Sequence, residues 1–210
     1  MPKALPVYER VDVHERSDLV DTGRPGRRID MSCCHWMMGD RAKAIELMRE
    51  MVDGILDRSI EFGDAAGGVQ QGLLLHYMGV TANDKSAVSK ARSYLRSRAK
   101  RSAIELFPGP VARYYLGEIE FPDVLAAATK DKARDVAEAI QVARTDLRCR
   151  RELCVAIFHD GVKARAQGSE QHCQTRMREC FSLENPIIEA EWYLARYEIE
   201  HGDKVTGAMK

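Results

Sequence analysis

Apolar side chains recur every three to four residues along most of the chain, which is the period of an amphipathic α-helix. The clearest example follows Asp40, which we expect to cap or begin a helix of about 22 residues. The apolar side of this helix consists of Ala44, Ile45, Met48, Met51, Val52, Ile55 and Phe62. No stretch shows the strict alternation that is typical of a half-buried strand. The pattern therefore predicts an all-α protein, a stack of about eight to ten antiparallel helices with short connections.

The same period divides the rest of the chain into further helices. We predict them at residues 69–80, 85–106, 111–117, 122–129, 131–147, 150–167, 169–182 and 187–201. Asn83 and Asp84 mark the start of the third helix, and the helix at 69–80 is apolar on all sides, so it should be central. The predicted organisation is a polar leader or strap at 1–28, one α-helical domain at 29–203 and a tail at 204–210. The helix breakers at 108–110 mark a point where the domain could be subdivided.

One segment, residues 153–186, has the plan of a helical hairpin with a close crossing. The plan needs a small residue in the first helix where the partner crosses, a glycine turn seven residues later, and spaced packing residues in the second helix. Gly161 is the crossing residue and Gly168 is the turn. The packing residues are Cys173, Met177 and Cys180, and Pro186 follows the second helix. This segment resembles a tetratricopeptide repeat.

Residues 36–52 resemble the turn and second helix of the same repeat, through Gly39, Ala44, Met48 and Met51. The two glycine turns, Gly39 and Gly168, are 129 residues apart, which is not a multiple of the ~34-residue repeat length. The resemblance therefore implies an irregular, tetratricopeptide-like stack of hairpins and not a regular array. Proteins of this family are typically protein-binding scaffolds without catalysis, so the resemblance implies a binding function.

Charge and composition narrow the class of protein. The 210 residues carry no net charge, and this balance argues against a bulk nucleic-acid binder or a polybasic membrane protein. Apolar residues make up 45% and charged residues 30%, which are values of a globular chain. The most apolar stretch, residues 72–80, is far shorter than the ~20 residues that span a bilayer. The first thirty residues lack the apolar run of a secretory signal, so we expect a cytoplasmic protein whose cysteines are thiols.

Cysteine and histidine are the residue types that would support metal binding or nucleophilic catalysis here. They are Cys33, Cys34, His35, Cys149, Cys154, His159, His172, Cys173 and Cys180. No C-x2-C pair is present, and Cys154 and His159 diverge around a helix. Because buried thiols packing as small apolar groups explain this pattern better, we predict no metal, no cofactor and no catalytic residue. An enzyme with a cryptic Cys/His site is the third alternative.

A basic stretch lies in the helix predicted after Asn83. Between residues 81 and 110 there are seven basic residues and two acids. The candidate anion-binding or nucleic-acid patch consists of Arg92, Arg96, Arg98, Lys100 and Arg101. Such a patch is either a solvated helix face or a contact surface for an acidic partner, DNA or RNA. A nucleic-acid-associated regulator that uses helix 85–101 is therefore the second alternative.

The last predicted helix has two apolar faces, although a terminal helix needs only one. At ~100° per residue, Ile188, Trp192, Ala195 and Ile199 form the face expected to pack on the preceding hairpin. The opposite face carries tyrosines and is rimmed by acids, a composition typical of an interface. The predicted partner-binding residues are Tyr193, Tyr197, Leu194, Glu191, Glu198, Glu189 and Glu200. Alternatively, the leader folds over this face, or a second copy packs on it.

These observations favour a non-enzymatic protein that binds another protein. Within this class we expect either a scaffold or adaptor of tetratricopeptide-like type, or a bacterial immunity protein that neutralises a toxin. The expected partner is accordingly another protein, either a cognate toxin or a second copy of this chain in a homodimer, and neither nucleic acid nor a membrane.

Overall fold

The computed structural model is all-α, as the sequence predicts, and no strand occurs in the described residues, which are 25–61, 64–184 and 189–207. Ten α-helices lie in these ranges, and a 3-10 turn spans Ser102–Glu105. The helices are α1 (Pro25–Met37), α2 (Arg41–Asp57), α3 (Val69–Thr81), α4 (Lys85–Ala99), α5 (Gly109–Leu116), α6 (Phe121–Thr129), α7 (Val136–Ala143), α8 (Leu147–Ala166), α9 (Glu170–Phe181) and α10 (Ala190–Gly207).

Some predicted features lie outside the described residues. They include residues 1–24 of the leader, the helix-opening Pro186 and residues 208–210 of the tail. Residues 25–28, which we assigned to the leader, belong to α1, and residues 204–207, which we assigned to the tail, continue α10.

Aspartate side chains fix the starts of four helices. Asp40, Asp84, Asp135 and Asp146 each accept a hydrogen bond from the backbone N–H three residues later, over 2.9 to 3.3 Å. Each bond satisfies one of the N–H groups that a helix start leaves without a partner. The predicted starts at Asp40 and Asp84 are confirmed.

Where a helix ends depends on the backbone conformation of the residues that follow it. Several predicted helices extend beyond the observed ends. The helix predicted to run to Phe62 ends at Asp57, because Arg58 adopts a left-handed conformation with φ +69°. The chain then turns back so that the N–H of Ile60 donates to the carbonyl of Gly54 over 3.0 Å.

Two other predicted helices are shortened for similar reasons. The helix predicted at 131–147 spans only Val136–Ala143, because Lys130 and Asp131 have φ values of +54° and +60°. The helix predicted to reach residue 106 ends at Ala99, because Arg101 is extended, with φ −102° and ψ 145°.

The described residues divide into two compact units, one up to Ala112 and one from Arg113. In the first unit, α1 packs on α2, α2 on α3, and α3 on α4. Helix α3 is central, as predicted, and nearly all of its side chains are buried. Its Tyr77 accepts a 2.8 Å hydrogen bond from Nε1 of the fully buried Trp36 on α1, which ties the two helices together.

In the second unit α8 is central, because α6, α7, α9 and α10 all contact it. The hairpin of α8 and α9 has the predicted close crossing at Gly161. A Cβ there would lie 2.9 Å from Cβ of Arg176 and 3.2 Å from the carbonyl oxygen of Cys173. Gly168 makes the turn with φ +84°, and Cys173, Met177 and Cys180 are fully buried. The predicted roles of these residues in the hairpin are confirmed.

Among the described helices, none combines the length and the apolar character that a bilayer crossing requires.

Candidate functional site

The orientation of α10 differs from the predicted one. Leu194, Glu191 and Glu198, which we placed on or beside the outer face, are at most 2% exposed. Trp192 and Ala195 are buried, as expected for the packed face, whereas Ile199 is partly exposed and Ile188 lies outside the described residues. The buried face of α10 is therefore centred on Glu191, Leu194, Ala195 and Glu198.

Two of these buried carboxylates face basic groups of α8. Glu198 Oε2 lies 2.9 Å from Nη2 of Arg165, and Arg165 also binds Glu170 Oε1 over 2.7 Å. Glu191 Oε1 lies 3.5 Å from Nε2 of the buried His159. Helical periodicity alone places carboxylates in solvent, because burying an unpaired charge is costly. For Glu198, the ion pair with Arg165 removes that objection.

Glu189, just before α10, is also buried, and its carboxylate pairs with Arg151 of α8. Burial and the nearby Glu191 carboxylate raise the pKa of Glu189 to about 7, although the Arg151 guanidinium opposes this. Of the seven predicted interface residues, this leaves Tyr193, Tyr197 and Glu200 accessible to solvent.

These tyrosines belong to a row of aromatic rings, which we call the aromatic face and define as Phe181, Trp192, Tyr193, Tyr197 and His201. The rings of Phe181 and Trp192 are 4.9 Å apart, those of Trp192 and Tyr193 are 5.1 Å apart, and those of Tyr197 and His201 are stacked at 4.5 Å. Phe181 is 39% exposed, and Tyr193, Tyr197 and His201 are partly exposed. The row thus continues the exposed side of α10 onto the end of α9.

Charged groups lie beside the aromatic face. Arg196 and Glu200, one turn apart on the exposed side of α10, form a 2.8 Å ion pair. An apolar aromatic row next to exposed charges has the arrangement of a protein interface, with anchors inside and a polar rim.

Sequence reasoning missed a second polar cluster, centred on the buried Asp160 of α8. Asp160 accepts hydrogen bonds from Tyr114 Oη (2.6 Å), Arg176 Nε (2.6 Å) and His172 Nε2 (3.0 Å). Lys163 Nζ lies 3.4 Å from the centre of the Tyr114 ring. These residues come from three helices, so no local spacing in the sequence brings them together. The buried carboxylate of Asp160 therefore joins α5, α8 and α9.

The cysteines are free thiols in the described structure, and all six are buried. Burial raises the pKa of Cys34 and Cys149, raises the pKa of Cys173 to about 12, and raises the pKa of Cys154 well above its usual range. A thiol that stays protonated at neutral pH is a poor nucleophile. No group of three or more Cys, His, Asp or Glu side chains in the described part of the chain is placed to hold a metal ion.

The predicted basic patch on α4 divides into an exposed and a buried part. Arg92, Arg96, Lys100 and Arg101 are exposed, whereas Arg98 is buried, with its guanidinium over the Tyr94 ring and Nη1 3.4 Å from the Gly67 carbonyl oxygen. Arg98 therefore belongs to the core. We call the exposed cations, together with Lys85 at the start of α4, the basic stripe; they are Lys85, Arg92, Arg96, Lys100 and Arg101.

Comparison of the chain with protein-family models, with curated proteins and with solved structures gives no match.

Proposed function

We propose that this chain is a non-enzymatic protein that binds another protein through the aromatic face. The observation that carries the proposal is the set of rings from Phe181 to His201, all at least partly exposed except the buried Trp192, beside the Arg196–Glu200 pair. Tryptophan and tyrosine are the residue types that most often supply the binding energy of protein interfaces.

The burial of Leu194, Glu191 and Glu198 makes the proposed surface smaller than the sequence predicts, but also more aromatic. Glu189, Glu191 and Glu198 are buried and do not form its rim, and the exposed Glu200 is paired with Arg196, so a basic partner surface is not required. The partner should instead offer an apolar or aromatic pocket for Tyr193 and Tyr197, with polar groups that face Arg196 and Glu200.

We further propose that the protein is of tetratricopeptide-like type. The close crossing at Gly161, the left-handed turn at Gly168 and the consecutive packing of α8, α9 and α10 support this. Both predicted roles, a scaffold or adaptor and a toxin-neutralising immunity protein, need one accessible binding face. They stay predictions.

The absence of catalysis and the cytoplasmic location are parts of the same proposal. Cysteines that are buried and form no disulfide in the described structure suit a reducing compartment and a packing role.

Replacement of both tyrosines tests the proposed surface. The full chain, the Tyr193→Ala/Tyr197→Ala variant and a Thr175→Ala/Arg178→Ala control on the exposed side of α9 would be used to enrich proteins from source cells. Candidate partners would then be purified and titrated by calorimetry. We expect the tyrosine variant to bind a partner at least ~30-fold more weakly, since a hot-spot residue contributes about 2 kcal/mol or more.

The control variant should bind like the unmodified chain, and all three proteins should have the same circular dichroism spectrum. Equal affinity of the tyrosine variant for every purified partner would exclude this surface. Sedimentation velocity would identify a second copy as the partner, in which case the tyrosine variant should be monomeric.

A further inference from the structure

We infer a second interaction surface, in the first unit of the chain: the basic stripe on α4 binds the phosphate backbone of duplex DNA. This surface is independent of the proposed aromatic face.

The cations of α4 differ in whether they have a carboxylate partner. Lys90 binds Asp53 of α2 over 2.6 Å, and Arg49 of α2 binds Asp84 at the start of α4 over 2.8 Å. The side chains of the five cations of the basic stripe form no ion pair or hydrogen bond with the described residues. Lys90, which faces α2, is thus paired with a carboxylate, and the buried Arg98 binds a backbone carbonyl, whereas the outward cations have no partner among the described residues.

The outward cations lie along one line. At ~100° per residue, Lys85, Arg92, Arg96 and Lys100 fall within about 80° of one another around the helix axis. From Lys85 to Lys100 the line is roughly 22 Å long at 1.5 Å per residue. Helix α4 itself contains no acidic residue, so nothing on this helix offsets the positive potential of the line.

Serine hydroxyls lie on the same side of α4. Ser86, Ser89 and Ser93 are exposed between the cations. Arginine, lysine and serine side chains are the groups that donate most hydrogen bonds to phosphate oxygens in protein–DNA complexes. The face therefore carries the chemistry that recognises a phosphodiester backbone.

Duplex DNA fits this face better than other nucleic acids. Single strands are held mainly by stacking on aromatic rings, and the only aromatic residue of α4, Tyr94, is buried and donates its hydroxyl to the Gly68 carbonyl oxygen over 2.6 Å. The major groove of A-form RNA is too narrow and deep for a helix, whereas that of B-DNA is ~12 Å wide and admits one. Helix α4 contains no Asn or Gln, and its exposed cations are assigned here to phosphates, so we expect binding without strong sequence preference.

The salt dependence of binding tests this inference. A fluorescently labelled 20-base-pair duplex of mixed sequence would be titrated with the full chain at 50 to 200 mM NaCl, with anisotropy as the readout. Neutralisation of four to five phosphates predicts a slope of log K against log [salt] of about −4, and hence an affinity loss of roughly 150- to 500-fold over this range. For the triple variant Arg92→Gln/Arg96→Gln/Lys100→Gln we expect a slope of about −2. Its affinity should therefore fall only roughly tenfold between 50 and 200 mM NaCl.

A matched control variant removes three positive charges from the second unit and leaves α4 unchanged. Lys130, Lys132 and Arg134 are exposed in the second unit, and Lys130→Gln/Lys132→Gln/Arg134→Gln should leave the slope unchanged. Single-stranded DNA and duplex RNA should bind more weakly than duplex DNA at every salt concentration. Circular dichroism would show that all variants are folded.

Several results would overturn the inference. One is an absence of duplex binding at 50 mM NaCl. Another is an equal slope for the α4 triple variant and the unmodified chain. A third is a reduction of the slope in the Lys130/Lys132/Arg134 control variant that equals the reduction in the α4 variant. Tighter binding of polyglutamate than of DNA would assign the stripe to an acidic protein instead. The Tyr193→Ala/Tyr197→Ala variant should bind DNA like the unmodified chain, because the two surfaces are separate. A failure of the DNA-binding inference therefore does not affect the proposed function of the aromatic face.

Discussion

Gly161 sets how closely α8 and α9 approach. Its backbone lies so near α9 that even a methyl group would meet Cβ of Arg176 at 2.9 Å and the carbonyl oxygen of Cys173 at 3.2 Å. Backbone atoms cannot move aside as a flexible side chain can. A larger residue must therefore separate the two helices and loosen the packing around Cys173 and Met177.

We expect Gly161→Leu to lower the free energy of unfolding by about 1–3 kcal/mol or more. Urea denaturation followed by circular dichroism measures this change. Ala166→Leu, at an exposed position of the same helix, is the control and should change the stability little. An unchanged urea midpoint for Gly161→Leu would show that the crossing is not close.

Glu189 is the residue whose titration should affect stability near neutral pH. Its pKa, raised by burial and by Glu191 to about 7, lies above its ordinary value of 4.5. The folded state therefore binds this proton more tightly than the unfolded state does. The resulting stabilisation is fully present below pH ~4.5 and is lost as the pH rises through ~7.

Glu189→Gln should remove the loss of stability that deprotonation of Glu189 causes as the pH rises. Between pH 5 and pH 8, we expect the unfolding free energy of the variant to fall by less than that of the unmodified chain, with a difference of up to about 3 kcal/mol. Urea titrations at both pH values measure it. Glu200→Gln, at an exposed position, should keep the original pH dependence. The assignment to Glu189 is wrong if Glu189→Gln and the unmodified chain lose the same stability.

At the scale of helices, Arg165 joins three elements of the second unit. From α8 it reaches Glu170 at the start of α9 and the buried Glu198 of α10. Removal of Glu198 takes away one of the two carboxylates that Arg165 binds, and the loss of a charged hydrogen bond in a poorly solvated site lowers stability.

We expect Glu198→Leu alone to cost about 1–3 kcal/mol of stability, because Arg165 keeps its ion pair with Glu170, and Arg165→Met/Glu198→Leu to cost clearly less than the sum of the single changes. A double-mutant cycle by urea denaturation gives the coupling free energy. The exposed Arg196–Glu200 pair is the matched reference and should couple by less than about 1 kcal/mol. Similar coupling for both pairs would contradict the importance of the buried junction.

The starts of helices could be predicted at this scale, but their ends could not. Asp40 and Asp84 cap helices through a bond to an N–H only three residues away, so the signal is local. The end of α2 depends instead on the left-handed Arg58 and on Ile60 turning back to Gly54, neither of which the apolar period reveals. The orientation of α10 was missed because Arg165 on α8 compensates the charge of the buried Glu198, and this contact joins residues 33 positions apart.

At the scale of the whole molecule, a net charge of zero conceals an uneven distribution. Many carboxylates of the second unit pair inside it, as Asp160 and Glu198 do, whereas five cations of the first unit face solvent without a partner among the described residues. The neutral total therefore does not describe the local charge on α4, and the prediction that nucleic acid is not the partner stays a prediction. The fold class followed from the apolar period, but the Asp160 cluster required three helices to meet, which sequence spacing does not encode.

Site-specific photocrosslinking in source cells tests most directly whether the aromatic face is the binding surface. A benzophenone amino acid would replace Tyr193 or Tyr197, with replacement of the exposed Thr175 on α9 as the control. We expect both tyrosine positions to give the same single crosslinked protein after irradiation, identified by mass spectrometry, and Thr175 to give none. If both tyrosine positions give no crosslinked protein, or the same mixture as Thr175, the aromatic face is not where this protein binds its partner.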